Sequence, residues 1–301
     1  MLLGLVVLLI ANLIGGALSP LFVKIGTHEI PPFLFTFFRF LIATAIFLPF
    51  YLRGRQHVSV KNILKLSAFS LFFAANATLY AIGIQQTSII ASQTLYTTVP
   101  LFVGFLAHFM LGEKFSLNKI IGALISAFGV LLLVLESAKK MDTFSFGTPL
   151  GNSIILAAVI CWSLYIVLSK KLSQSNSPST TSFFSFVVTA VILMPAVPFE
   201  VAYTKFSFQN VTSIGYISLV GVGVISSALM FTLIQIGIKR TSAYIASLFS
   251  YFAPLFSAIT AVPLLHEKVT PYLILAGILI TSGVFVATTL GTIKFRKNKL
   301  H

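Results

Sequence analysis

Residues 87–114 read TSIIASQTLYTTVPLFVGFLAHFMLGEK, and residues 241–268 read TSAYIASLFSYFAPLFSAITAVPLLHEK. A shift of 154 positions lays Thr87-Ser88 on Thr241-Ser242, Pro100-Leu101-Phe102 on Pro254-Leu255-Phe256, and Glu113-Lys114 on Glu267-Lys268. The register extends outward to Gly83 with Gly237, and to Gly129-Val130 with Gly283-Val284. Closer to the N-terminus a shift of 146 pairs Lys24 with Lys170, Pro32 with Pro178 and Pro49 with Pro195; the change from 146 to 154 places an eight-residue insertion in the second copy. One such match among so many apolar residues is easily accidental. An ordered series with one gap marks an internal duplication, and a duplication decides the architecture before any local pattern does.

The solvent of this duplicated chain is lipid. Hydrophobic residues make up 57% of its 301 positions and charged ones 9%, against about a half and a quarter in soluble domains. Crossing the hydrocarbon takes about 20 apolar residues as a helix. Ten such spans are predicted, at 2–24, 32–52, 63–84, 88–111, 118–135, 149–170, 180–199, 212–236, 242–264 and 271–292. Turn and capping residues fall in the breaks: Pro31-Pro32 before the second span, Ser175 to Pro178 before the seventh, and Thr270-Pro271 as N-cap and N1 of the tenth. The connections that remain are too short for a separate soluble domain. The N-terminal run Met1 to Val23 lacks a basic n-region and is expected to stay as a span.

A net charge of +14 would suit nucleic acid only with the cations gathered on one soluble face. Here they punctuate apolar runs, so the expected partners are the bilayer and a small solute, with no nucleic acid. With the N-terminus in the cytoplasm, the inner segments carry 14 Lys and Arg (Arg53, Arg55, Lys61, Lys65, Lys114, Lys119, Lys170, Lys171, Lys239, Arg240, Lys294, Arg296, Lys297, Lys299) and the outer ones 5 (Lys24, Lys139, Lys140, Lys205, Lys268). That asymmetry places both termini inside. A single cysteine, Cys161, leaves no disulfide framework and no Cys-rich metal site, and no cofactor is expected.

Each copy holds five spans, and an odd number makes the second copy enter the membrane from the opposite side. The expected fold is an all-α integral membrane protein of ten transmembrane helices in two inverted five-helix repeats. The repeats occupy residues 1–140 and 148–295, followed by a basic cytoplasmic tail, 296–301. Inverted repeats are a transporter feature, with the solute near the midplane between the halves. The doubled set, Thr87-Ser88 through Pro100-Leu101-Phe102 to Leu111-Gly112-Glu113-Lys114 and its echo to Glu267-Lys268, resembles the EamA-type permeases of the drug/metabolite transporter superfamily over nearly the whole chain. The resemblance implies ten helices, a central cavity between the halves, and export or exchange of metabolites such as amino acids. The sequence departs from the pattern at His266, where the first copy has Gly112, and at Gly15-Gly16, where the family often has Trp-Gly.

Polar groups in lipid are costly and face protein or a watery cavity. Gln93, Tyr96, Thr97 and Pro100 lie at i, i+3, i+4 and i+7, and Ser247, Ser250, Tyr251 and Pro254 repeat that spacing, so each set shares a helix face. The two stripes line half-pathways that meet near the prolines, or they hydrogen-bond between helices. Pro100 and Pro254 each remove a backbone donor and serve as hinges or as static kinks; Pro20, Pro49 and Pro195 read as static kinks. Arg39, the one charge well inside a span, attracts a solute carboxylate or phosphate, or caps carbonyls, or snorkels to the headgroups. Asn12, Asn76 and Tyr80 line the cavity or bond between helices, and Trp162 stacks on a solute or fills space. Glu113 and Glu267 each precede a helix whose N-terminal dipole suits a carboxylate, a structural role. Gly122, Ser126 and Gly129 form a small-residue stripe, interrupted at the equivalent Ala276, Ile280 and Gly283, for contact within the monomer or in a homodimer.

The candidate substrate-binding set is therefore Asn12, Arg39, Asn76, Tyr80, Gln93, Tyr96, Thr97, Trp162, Ser247, Ser250 and Tyr251, with Pro100 and Pro254 as hinges. The function expected is a permease of a bacterial cytoplasmic membrane. It moves an amino acid or related neutral or zwitterionic solute, outward or in exchange, by alternating access. No Asp or Glu lies mid-span and His108 is the one titratable alternative, so facilitated diffusion or exchange is expected over tight proton symport. The competing classes are a membrane-embedded enzyme, for which no HExxH or loop Asp pair is present and the histidines (28, 57, 108, 266, 301) are scattered, and a channel or receptor, for which no charged ring is apparent.

Overall fold

The structure, a computed structural model, describes residues 2–53, 59–111, 117–140, 147–172, 175–241 and 243–297. Arg55, Glu113, Lys114 and Ser242 lie outside that set. Every regular element among the described residues is helical, as a chain in hydrocarbon must be when no water is there to satisfy its backbone. The helical runs are α1 (Leu2–Glu29), α2 (Pro32–Arg53), α3 (Val60–Gln86), α4 (Ile89–Met110), α5 (Leu117–Lys140), α6 (Pro149–Leu172), α7 (Pro178–Leu193 and Ala196–Thr204), α8 (Ser213–Arg240), α9 (Ala243–Leu265) and α10 (Pro271–Lys297). Among the described residues seven of them are long and apolar enough to cross a membrane, and the two arms of α7, bent by 54° on either side of Pro195, make an eighth. Helices α5 and α10 stand outside that count.

Hydroxyl caps start these helices. Ser59, Ser88, Ser177 and Thr212 accept the amides of Asn62, Ala91, Thr180 and Gly215, and Thr270 accepts that of Leu273 at 3.2 Å, the cap expected before Pro271. Helix α9 ends on His266 with φ 53°. This is the left-handed C-terminal position that glycine fills most cheaply, which is where the first copy of the sequence has Gly112.

Helices pack in pairs: α5 on α10, α3 on α6, α2 on α7, and α1 on α8. Glycines of the duplicated motifs lie at close approaches between paired helices. A methyl on Gly83 would lie 2.9 Å from the Ile155 side chain, and one on Gly237 would lie 2.4 Å from that of Leu8. The stripe Gly122, Ser126, Gly129 faces α10 of the same chain: a methyl on Gly283 would fall 2.5 Å from the Gly122 carbonyl oxygen, and Ser126 Oγ donates to the Ile280 carbonyl at 3.0 Å.

Two helices carry an extra residue. Leu8 and Ile155 occupy equivalent places against Gly237 and Gly83, a shift of 147, whereas Lys24 and Lys170 are 146 apart. Helix α1 therefore has one residue more than α6, absorbed in the π turn Ile14–Leu18. Likewise the caps Ser59 and Thr212 are 153 apart and Gly83 and Gly237 are 154 apart, and the additional residue of α8 is taken up in the π segment Val222–Met230. Single-residue insertions into α-helices take this form.

Three carboxylates lie at one end of the bundle, where α1, α7 and α9 finish. Glu29 accepts from the Thr212 amide and hydroxyl at 2.7 Å each, at the start of α8. Glu200 accepts from the amides of Phe33 and Leu34 at 3.1 and 2.8 Å, at the start of α2. Glu267 accepts from those of Ile89 and Ile90 at 2.7 and 3.0 Å, at the start of α4, with Lys24 Nζ 3.8 Å away. This corrects the expectation for Glu267. Its carboxylate serves α4, brought beside it by the fold, and not the sequence-adjacent α10. Lys24 donates to the Thr87 carbonyl and Lys170 to that of Thr241, one bond at each end of the bundle, between residues that the duplication equates.

Candidate functional site

A central cavity of about 100 Å³ lies between α1, α2, α3, α4, α6, α8 and α9. Eight residues expected at the site meet there: Asn12, Arg39, Asn76, Tyr80, Gln93, Tyr96, Trp162 and Ser250. Thr97, Ser247 and Tyr251 are not among its lining residues. The helical-face argument assumed unbroken pitch through both prolines. Helix α4 instead breaks at Thr97-Thr98, and α9 tightens into a 3₁₀ turn at Phe249–Phe252. Each irregularity lies within the turn before Pro100 or Pro254, as expected where a proline cannot donate to the carbonyl four residues back. Residues in the break rotate off the face, and the Thr97 hydroxyl bonds the Thr94 carbonyl at 2.6 Å. The two prolines are not among the lining residues; each follows one, Tyr96 or Ser250, by four positions.

Arg39 is buried, with 3% of its surface exposed, which removes the snorkelling alternative. Its Nε donates to Ser227 Oγ at 2.7 Å, and its guanidinium carbon sits 4.9 Å from the Phe40 ring centre and 5.7 Å from that of Phe231. The π segment of α8 aims Ser227 at it, the hydroxyl in turn bonding the Val222 carbonyl five residues back at 2.9 Å. Beside Arg39 runs a linked set of amides and phenols. Asn76 Nδ2 donates to Tyr96 Oη at 2.7 Å and to the Ala158 carbonyl at 2.8 Å; Gln93 Nε2 donates to Tyr80 Oη at 3.0 Å. The tyrosine rings meet edge to face with centres 5.7 Å apart. Asn12 is tied to its own helix through the Leu8 carbonyl at 2.8 Å.

Residue spacing did not point to the other lining residues: Met230, Phe231, Ile234 and Ala253, with Gly15, Gly16 and Ser19 on α1. The duplication supplies the missing signal. A shift of 154 pairs Asn76 with Met230, Ala77 with Phe231, Tyr80 with Ile234, and Tyr96 with Ser250; a shift of 147 pairs Gly15 with Trp162. All ten line the cavity. In two of these pairs the first copy supplies the polar member and the second an apolar one. Gly16 is required where α1 meets α9, since a methyl there would lie 2.9 Å from Phe256 and 3.2 Å from the Ala253 carbonyl oxygen.

A second, larger hollow of about 470 Å³ opens at the carboxylate end, lined by Lys24, Gln85, Gln86, Thr87, Thr148, Leu265 and Glu267. Among the described residues no three His, Cys, Asp or Glu side chains are grouped to hold a metal.

The EamA-like transporter family matches this chain over residues 2–135 and 149–289. An uncharacterized transporter of Archaeoglobus fulgidus is 26% identical over 90% of this chain and 92% of its own. An uncharacterized transporter of Bacillus subtilis is 28% identical over 87% and 80%, and a probable amino-acid metabolite efflux pump of Escherichia coli is 26% identical over 88% of each. One crystal structure superposes on 96% of this chain and 98% of its own with a TM-score of 0.63 at 22% identity, a likeness of fold.

Proposed function

The chain belongs to the EamA-like transporter family, and from that premise we propose that it is a secondary carrier moving a small metabolite, an amino acid or related solute, by alternating access around the central cavity. The observation that carries this reading is the cavity itself, set between the two sequence copies and lined by register-matched pairs from both.

Ten spans in two inverted halves fit the packing. At the carboxylate end, contacts join the finishing ends of α1, α7 and α9 to the starting ends of α8, α2 and α4. At the other end Asn62 in the first turn of α3 meets Asn176, just before α7, at 2.7 Å. Helices α5 and α10 cross antiparallel, Gly122 against Gly283 and Gly129 against Ala276. The two matched segments, 2–135 and 149–289, coincide with the proposed halves. The positive-inside distribution supports both termini and the basic tail on the cytoplasmic side with the carboxylate end outside, and the bacterial relatives support a bacterial inner membrane. The amino-acid assignment is supported by the name of the Escherichia coli relative. The described cavity residues include no carboxylate, which favours facilitated diffusion or exchange over proton symport.

The test is reconstitution into liposomes with labelled amino acids, with and without a pH gradient. Saturable uptake or counterflow of one solute class is expected, insensitive to the gradient. A folded protein that moves none of the panel overturns the carrier reading; accumulation driven by a proton gradient overturns the uncoupled mechanism.

A further inference from the structure

We propose that the cavity binds an amphipathic organic carboxylate, its carboxylate on the Arg39 guanidinium and its apolar part against Met230, Phe231 and Ile234. This rests on the cavity being a solute site and goes further in naming the solute's chemistry. A guanidinium stays charged at any physiological pH and presents five N–H donors in a planar fork. At Arg39 one of these, on Nε, goes to Ser227. Among the described residues no other hydrogen bond and no carboxylate reaches the group, although it is 3% exposed and lines the cavity. The remaining four donors open onto the cavity, where an anionic group would take them in charge-assisted bonds.

The neighbouring groups agree in sign. Tyr96 accepts from Asn76 and keeps its own hydrogen to donate, while Tyr80 accepts from Gln93 and lies 3.5 Å from Ser92 Oγ, whose own hydrogen goes to the Ile89 carbonyl. The charged and amide-bearing lining residues, Asn12, Arg39, Asn76 and Gln93, all belong to the first sequence copy. The equivalent positions of the second copy carry Met230 for Asn76 and Ile234 for Tyr80. Divergence between the copies has left Asn76 and Tyr80 polar and their counterparts Met230 and Ile234 apolar in one cavity, with the Phe231 ring 5.7 Å from the Arg39 guanidinium carbon. A solute that satisfies both the cation and this apolar lining has an anionic head and a short apolar tail. A positively charged solute meets Arg39 with nothing to offset the repulsion.

Trp162, the only tryptophan of the chain, lines the same cavity, so its fluorescence reports occupancy without any transport. The purified protein is titrated with hexanoate, norleucine, acetate, hexanamide, hexylammonium and dodecanoate. Saturable change is expected with hexanoate and norleucine, with roughly tenfold or weaker affinity for acetate, which lacks the tail, and for hexanamide and hexylammonium, which lack the charge-assisted pair. Dodecanoate separates a small metabolite from a membrane lipid and is expected to bind less well than hexanoate. Arg39→Gln should weaken hexanoate by roughly tenfold or more, and Arg39→Lys should recover part of the loss. Should Arg39→Gln fail to fold, the wild-type series decides alone. Hexylammonium binding as tightly as hexanoate, a preference for dodecanoate, unchanged affinity in a folded Arg39→Gln variant, or no response to any carboxylate each overturns the proposal. Carboxylate binding by a protein that transports nothing leaves the site standing and removes the carrier reading instead.

Discussion

Glu267 gives both carboxylate oxygens to the first two amides of α4 and holds Lys24 within 3.8 Å, while remaining 5% exposed. Helix N-termini present unpaired donors and a positive dipole, so removing this acceptor strands two buried N–H groups. Glu267→Ala should destabilise the protein by about 1–3 kcal/mol, read as a lower melting temperature in detergent, and Glu267→Gln should lose less because an amide oxygen still accepts. Glycines allow an equally local test. A methyl on Gly283 meets backbone at 2.5 Å, whereas the nearest atom to one on Gly277 is 3.8 Å away. Gly283→Ala should cost about 1–3 kcal/mol by overpacking the α5–α10 contact; Gly277→Ala should be neutral or slightly stabilising in the same melt. At this scale the sequence marked Glu267 and Gly283 by their recurrence, but assigned the carboxylate to the helix that follows it in the chain. Which amide lies beside a side chain in space is a tertiary fact, invisible to spacing.

At the scale of elements, hydropathy and capping residues were enough to find the helices. Ser177 and Thr270, which fall in breaks read from the sequence, cap α7 and α10, and the structure adds Ser59, Ser88 and Thr212 as caps of α3, α4 and α8. The irregularities inside them were not legible. Nothing in a run of apolar residues distinguishes a π turn from an α turn, because the extra residue is recognisable only against a copy that lacks it. That comparison yields a prediction. Helix α3 packs without a π segment, so deleting Val224, an exposed residue inside the segment of α8, should return α8 to regular pitch. The protein should still fold, with a smaller fall in melting temperature than deletion of Ile160 from the regular helix α6. The same deletion should turn Ser227 away from Arg39, because the bond from Ser227 to a carbonyl five residues back belongs to the wide turn. Carboxylate affinity, followed by Trp162 fluorescence, should then drop. Equal melting losses for the two deletions would count against the π segment as a tolerated insertion.

For the molecule as a whole, three carboxylate caps join the two sequence copies at the end assigned to the outside: Glu29 to the start of α8, Glu200 to the start of α2, and Glu267 to the start of α4. Each bridges an element of one copy and an element of the other. An outward opening that parts the halves at this end must break such bonds, and they are charge-assisted, worth roughly 1.5–3 kcal/mol apiece. At the opposite end Asn62 and Asn176, a neutral pair, make the hydrogen bond between the copies. The balance of bonds therefore favours the state with the outer end shut, and weakening the caps should shift the population, since about 1.4 kcal/mol is a factor of ten. Glu29 and Glu200 are the pair to neutralise, because neither lines the cavity. A reporter cysteine at Ser19, which does line it on the outer half of α1, is placed in a Cys161→Ser background. Adding Glu29→Gln and Glu200→Gln should raise its labelling by an impermeant thiol reagent from outside roughly tenfold or more, following the same conversion. Labelling that stays constant while the melting temperature falls would mean the caps support the fold without setting the balance between its open and shut states.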